Sequence, residues 1–233
     1  INRSLRDIDT KQLNQVRYLA KTARASAEKI SDALAVAGYR LKSEPSIAEG
    51  GPFIPADSAE AMSSFRVEVE GLDSALNQLK RARRAVRQFP FANPSPGSDI
   101  TSSFGTRRDP LLGTAAFHSG MDFRASTGDP VKAAATGKVV SAGRNGGYGN
   151  MVEIEHGNGL TTRYAHMSRI LVSEGDEVEP GATIGLAGST GRSTGPHLHY
   201  EVRKDSGAVD PAAFIRAGRI AALLGQLQQQ FLG

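Results

Sequence analysis

The sequence predicts an α+β protein of more than one domain: an N-terminal α-helical hairpin or coiled coil, an antiparallel all-β domain and a C-terminal helix. Three observations lead there. Apolar residues recur at spacings of three and four through much of the first ninety positions. The stretch Phe89-Pro90-Phe91-Ala92-Asn93-Pro94-Ser95-Pro96-Gly97 then stops the helical pattern. From there to about Pro211 the chain is a series of short β-type runs separated by glycine turns, uninterrupted by helices, which favours an antiparallel sheet over βαβ units. The boundaries expected are 1–90 for the helical region, 91–213 for the β domain and 214–233 for a final amphipathic helix.

In the first helix the apolar stripe runs through Leu5, Ile8, Val16, Leu19, Ala23, Ile30, Leu34, Ala37 and Leu41, thin and rich in alanine. Prolines and glycines between Lys42 and Pro55 break it, and Asp57-Ser58-Ala59-Glu60 offers a capping box for a second helix. There Met62, Phe65, Val69, Leu72, Leu76, Leu79, Arg83 and Val86 alternate steps of three and four, a coiled-coil seam broken only by Arg83. Two such helices joined by a Pro/Gly loop most simply form an antiparallel hairpin. So thin a stripe calls for a further partner: a second chain, the following domain or an upstream segment.

Strands are expected at Val131–Ala134, Lys138–Ala142, Met151–His156, Leu160–His166, Thr183–Ala187 and His197–Arg203, with Gly157-Asn158-Gly159 as a hairpin turn. Asp210-Pro211 reads as an N-cap followed by proline in the first helical position. Phe214, Ala217, Ile220, Leu224, Leu227 and Phe231 then give the last helix an apolar stripe with few basic residues opposite, which suits packing on its own protein rather than on a membrane.

Composition narrows the function. At 233 residues the chain holds one or two domains, and with no cysteine any metal must be held by His, Asp or Glu. No run of eighteen apolar residues is long enough to span a bilayer. The opening Ile1-Asn2-Arg3, without methionine or a signal pattern, reads as a fragment or mature form. Residues 1–90 carry 15 Lys and Arg against 11 Asp and Glu, whereas 91–233 carry 13 of each, so the net charge of +4 lies in the helical part. Much of it sits at Lys80, Arg81, Arg83, Arg84 and Arg87, a solvated face or a contact for an acidic partner. Nothing points to nucleic acid.

All five histidines fall between positions 118 and 199. His197 and His199 alternate on a strand, so both imidazoles project from one face, about 6–7 Å apart along the backbone. Neutral imidazole serves as a metal ligand or as a general base near neutral pH. His118 and Asp122 stand four apart across Ser119-Gly120, which argues for a bend. Either strand histidine added to them makes a His₂Asp set with one tetrahedral position open, the pattern of a catalytic zinc site. Spacing does not choose between His197 and His199. His166 or His156 supplies a candidate base, His156 the weaker because it precedes the Gly-Asn-Gly turn.

These landmarks, in order, resemble the LytM or lysostaphin-type zinc metallopeptidases: Ile100-Thr101-Ser102-Ser103-Phe104-Gly105-Thr106-Arg107, His118-Ser119-Gly120-Met121-Asp122, Gly146-Gly147-Tyr148-Gly149-Asn150, Tyr164-Ala165-His166, Gly195-Pro196-His197-Leu198-His199-Tyr200-Glu201 and Val209-Asp210-Pro211. The resemblance covers a little over half the chain. It implies one Zn²⁺ per chain held by His118, Asp122 and His199. It makes His166 and His197 the catalytic pair, one as base and one as oxyanion stabiliser, and Arg107, Tyr148 and Asn150 the candidates for substrate binding. It further implies hydrolysis of peptide cross-links in peptidoglycan. The helical region resembles Gram-negative members that cleave D-alanyl–meso-diaminopimelate in the periplasm, tethered to the inner membrane by a segment absent here. Arg107, Arg108 and Arg144 would meet peptide carboxylates. The implied partners are peptidoglycan stems and, through the coiled coil, a cell-wall, division or elongation protein or a second copy. The alternative is a LytM-like regulator that activates other wall hydrolases. Such proteins have lost site residues, whereas all five positions are present here.

Overall fold

Two helices, α1 (Asn2–Val36) and α2 (Ala59–Gln88), occupy the N-terminal region of the computed structural model. It describes residues 2–36, 38–39, 59–108 and 114–219. The break from Lys42 to Pro55 and most of the expected capping box lie outside these residues, as do Ala37 and Leu41. The chain divides into two compact units, Ile1–Ala85 and Val86–Gly233.

In the first unit the expected pair of packed helices is present, but its seam is the alanine one. Ala20, Ala23 and Ala27 pack with Ala75, Leu79 and Ala82, flanked by Ile30 and Leu72. Leu19, Phe65, Val69 and Leu76, which the apolar stripes placed in the seam, are 40–47% exposed. Small side chains let helix axes approach closely, and that closeness excludes the larger residues one position away. Between the two helices Arg17 pairs with Glu68 (2.8 Å) and Arg24 donates to the Gly71 carbonyl (3.3 Å).

The second unit is built on an antiparallel sheet of eight strands. Along it run β1 (Ile100–Ser102), β4 (Met121–Arg124), β12 (His197–Lys204), β8 (Leu160–Met167), β7 (Gly149–Gly157), β6 (Gly137–Asn145) and β10 (Glu177–Val178), in that order, with β13 (Gly207–Val209) also paired to β12. A three-stranded sheet orders β5 (Pro130–Lys132), β11 (Thr183–Leu186) and β9 (Arg169–Ile170), and β2 (Gly105–Arg108) pairs with β3 (Ala115–His118). All six expected strands are present. The strands between Ile100 and Arg124 were not anticipated, being too short to show alternation. Asn158 (φ 53°) and Gly159 (φ 71°) close the β7–β8 hairpin in the left-handed conformation that two-residue turns require.

Alternation divides β12 between two environments. Leu198, Tyr200 and Val202 are fully buried on one face with Phe123 and Tyr164, while His197, His199 and Glu201 occupy the other. Asp210 caps the C-terminal helix by accepting the Ala212 N–H (2.9 Å). That helix is described over residues 211–219, where Phe214, Ile215 and Ala217 are buried. Its continuation from Ile220 to Phe231 lies outside the described residues.

His156 is part of the core. Its Nδ1–H donates to the Thr136 carbonyl (2.8 Å), and its Nε2 accepts from the Thr162 hydroxyl (2.7 Å), which lies 3.0 Å from the Tyr164 hydroxyl. Burial pushes its pKa down to about 4, against the hydrogen bond to Thr136. A folded-state pKa below the unfolded value means that this group's contribution is complete above pH ~6.5 and is lost as pH falls toward 4. The loss amounts to about 3 kcal/mol. Urea unfolding of His156→Gln and the parent chain between pH 7.5 and 4 should therefore show the parent losing stability more steeply on acidification. Parallel curves would exclude this role.

Candidate active site

The sheet register builds the site. β4 and β12 pair so that His199 lies directly opposite Asp122 and His197 opposite Arg124, while β8 brings Ala165 against the other edge of His199. His118 ends β3, and Ser119-Gly120 turns the chain into β4. A Cβ at Gly120 would collide with the Tyr200 carbonyl, so only glycine permits that turn.

Three lone-pair atoms converge. His118 Nε2 lies 3.1 Å from Asp122 Oδ1 and 3.1 Å from His199 Nδ1, and the last two are 2.8 Å apart. All three side chains are buried. Ligands of a tetrahedral ion bound at ~2.0–2.1 Å are separated by about 3.3 Å, close to this triangle. The proton positions fit as well. His118 Nδ1–H donates to the Ser103 carbonyl (2.8 Å) and His199 Nε2–H to Glu201 (3.2 Å), which leaves Nε2 of one ring and Nδ1 of the other as bare donors. Two imidazole nitrogens and one carboxylate oxygen thus form a three-ligand cluster for a metal ion.

Glu201, fully buried, is the residue that sequence reasoning passed over. Its carboxylate takes hydrogen bonds from His199, Ser119, Tyr148 (2.9 Å) and Arg203 (2.8 Å). Burial alone would raise its pKa; these donors reverse that and bring it down to about 2. Its signal was present in the alternation His197, His199, Glu201, which places all three on one face. Burial likewise disfavours charge on His199, but Asp122 and Glu201 on either side of the ring push its pKa up to about 9. Asp122 is driven well below the usual carboxylate range, its burial outweighed by His118 and His199. Arg107 approaches its second oxygen at 3.5 Å.

The other two histidines form a second pair, ring centroids 4.7 Å apart. His166 Nδ1–H donates to the Thr190 carbonyl (2.8 Å) and His197 Nδ1–H to the Gly195 carbonyl (2.8 Å). Burial, with His197 and His199 nearby, lowers the His166 pKa to about 4 despite its bond to Thr190. Both rings line a groove of about 620 Å³ together with His118, Asp122 and His199. Arg107 and Tyr148 line it also. Asn150, expected to bind substrate, does not; its amide donates to the Met167 carbonyl (3.0 Å) behind His166. Arg108 and Arg144 are likewise absent from the lining, whereas Arg124 and Arg192, which the sequence did not single out, belong to it.

Because Glu201 holds the His199 ring by its Nε2–H, Glu201→Gln should weaken divalent-metal affinity by roughly 10–100-fold. Competition against a chromophoric chelator measures this, and an unchanged affinity would remove Glu201 from the site.

The sequence model of peptidase family M23 matches residues 116–211. The DD-carboxypeptidase/endopeptidase Mpg of Neisseria meningitidis serogroup B is 51% identical over 114 residues, 49% of this chain and 26% of that protein. The peptidoglycan DD-endopeptidase ShyC of Vibrio cholerae is 32% identical over 200 residues, 83% of this chain and 46% of that protein. The catalytic domain of lysostaphin from Staphylococcus simulans superposes with a TM-score of 0.49 at 34% identity, covering 54% of this chain and 98% of that one. The chain spans no more than about half the length of the curated relatives it matches. The matched residues contain every histidine of the chain and Asp122, and residues 116–211 carry the sequence pattern of peptidase family M23.

Proposed function

We propose that the chain is a zinc-dependent peptidoglycan hydrolase of the cell envelope, a D,D-endopeptidase that cuts D-alanyl–meso-diaminopimelate cross-links. The observation that carries this is the buried triangle of His118, Asp122 and His199 with a separate imidazole pair beside it in one groove. Two nitrogens, one oxygen and an open fourth position suit zinc in a catalytic setting. Similarity to the peptidoglycan DD-endopeptidases ShyC and ShyA of Vibrio cholerae supports the substrate class. Among the described residues no helix is long and apolar enough to cross a membrane.

His118, Asp122 and His199 would hold the zinc, which would supply polarisation of a scissile carbonyl and acidification of water. The remaining work falls to His166 and His197. Both use Nδ1–H on backbone carbonyls, so each ring in its neutral form offers a bare Nε2 toward the groove. One of them accepts the proton of the attacking water. Only a ring that has taken up a proton offers Nε2–H, and that cation then serves the developing oxyanion or returns the proton to the leaving amine. Rings this close titrate as a pair rather than singly. Arg107, Arg124 and Arg192 give the groove cationic walls suited to a peptide that carries free carboxylates.

Purified meso-diaminopimelate-type peptidoglycan digested with the zinc-loaded chain should release D-alanyl–diaminopimelate cleavage products, identified by mass, and a chelator should abolish them. His118→Ala should lose both zinc and hydrolysis, while His166→Ala and His197→Ala should keep stoichiometric zinc and lose hydrolysis. Full zinc occupancy in His118→Ala would overturn the ligand assignment. Cross-linked muropeptides amidated at the diaminopimelate carboxylate should be cleaved at least about tenfold less efficiently, the worth of one charge-assisted hydrogen bond. Arg124→Gln should narrow that ratio. Equal rates on both substrates would remove the arginines from recognition.

A further inference from the structure

His166 stands in a conformation that its own residue type disfavours. Its φ is 61°, the left-handed region, in which non-glycine residues are uncommon and cost free energy. The cause is a bulge. Between β7 and β8 the pairing steps from Val152 opposite Tyr164 to Asn150 opposite Met167, two residues along β7 against three along β8. Ala165 remains paired with His199 of β12, and the extra residue turns the His166 ring into the groove. Bulges re-aim side chains in this way, and something must hold them.

We infer that Thr190 and Asn150 form a clamp that fixes the bulge and thereby positions His166; this rests on the reading of His166 as one of the two catalytic imidazoles. Thr190 grips both sides of it. Its carbonyl accepts the His166 Nδ1–H (2.8 Å), its N–H reaches the His166 carbonyl (3.4 Å), and its hydroxyl donates to the Met167 carbonyl (2.8 Å). Asn150 completes the ring of bonds. Its backbone N–H donates to Thr190 Oγ1 (2.9 Å) and its side-chain amide to the same Met167 carbonyl (3.0 Å). The backbones are pressed together at this point. A Cβ at Gly149 would collide with Thr190, and one at Gly191 with Gly149. Glycines on both sides admit the contact, and the Arg192 N–H to Gly147 carbonyl bond (2.8 Å) closes the loop end over β7.

The clamp therefore sets two things at once: the orientation of the ring and the nitrogen that carries its proton. The bond to Thr190 keeps the proton on Nδ1 and leaves Nε2 bare toward the reacting groups. Neither Thr190 nor Asn150 lines the groove, so both are positioning residues, not catalytic ones.

The test uses the zinc-loaded full chain with Thr190→Val, Asn150→Ala and the conservative Thr190→Ser. For Thr190→Val and Asn150→Ala, kcat on cross-linked muropeptides should fall by roughly 10–100-fold, the cost of misplacing a reacting group by about 1 Å. KM should stay within about twofold and zinc at one ion per chain, and Thr190→Ser should recover most of the rate. Long-range ¹H–¹⁵N spectra of the histidines should show His166 as the Nδ1–H tautomer in the parent chain and in Thr190→Ser, and as a mixture in the other two. Thermal midpoints exclude unfolded variants, and Thr190→Ser keeps the test open if Thr190→Val does not fold. An unchanged tautomer and rate in both disruptive variants would overturn the clamp, as would zinc loss parallel to activity loss. If the parent chain does not cleave cross-linked peptides, the hydrolase reading fails, while the His166 tautomer still decides the clamp.

Discussion

The site depends on holding three lone pairs within 2.8–3.1 Å of one another. Ring protons can bridge these atoms when no cation is bound, but a flexible chain would not keep all three together. The β4–β12 register removes that freedom, because Asp122 and His199 are direct cross-strand partners in the middle of a sheet whose opposite face is fully buried. Moving either ligand would require slipping the pairing, and a slip of one residue would turn Leu198 and Tyr200 outward and His199 inward. The hydrophobic face of the sheet thus enforces the polar geometry of the other. His118 is not in that sheet, and the Ser119-Gly120 turn with the Ser103 carbonyl brings its ring to the same point.

The same sheet explains the division of the five histidines. Those with an edge toward the groove belong to the site. His156, on β7, faces Thr136 and Thr162 and is satisfied by them. Both His156 and His166 are held neutral by burial, yet they differ in what the second nitrogen meets. For His156 it is a hydroxyl in the core; for His166 it is open groove. A depressed pKa alone would not separate a structural histidine from a functional one, whereas the partner of each ring nitrogen does.

Much of this was legible in the sequence. Strands β5 to β8, β11 and β12, the Asn158-Gly159 turn and the cap at Asp210 follow from local chemistry. His118, Asp122, His166, His197 and His199 stand out because histidine is otherwise absent. Other features were not legible, each for a physical reason. The helical seam was legible in part: Ala23, Ile30, Leu34, Leu72 and Leu79 are packed or buried as expected, whereas Ala20, Ala27, Ala75 and Ala82 were passed over because alanine carries little hydrophobic weight, although its small size decides how closely two helices pack. Asn150 became a substrate candidate through the resemblance alone; in the structure its amide meets a carbonyl seventeen residues away, across a bulge that no periodicity announces. Arg124 and Arg192 reach the groove only once β4 and the loop before β12 are brought together.

The proton inventory of the four site imidazoles connects these levels. Three of them give Nδ1–H to a backbone carbonyl: His118 to Ser103, His166 to Thr190, His197 to Gly195. His199 alone reverses the pattern, with Nδ1 in the triangle and Nε2–H on a carboxylate. A carbonyl orients a ring without adding charge, which suits groups that must stay neutral and exchange a proton. A carboxylate adds electron density to the ring it holds, which suits a ligand that must stay bound. Glu201 tolerates burial because Ser119, Tyr148 and Arg203 also hydrogen-bond it. The carboxylate behind His199 and the place of His118 in the triangle set these two imidazoles apart from His166 and His197, in keeping with the proposed division between rings that would hold a cation and rings that would move a proton.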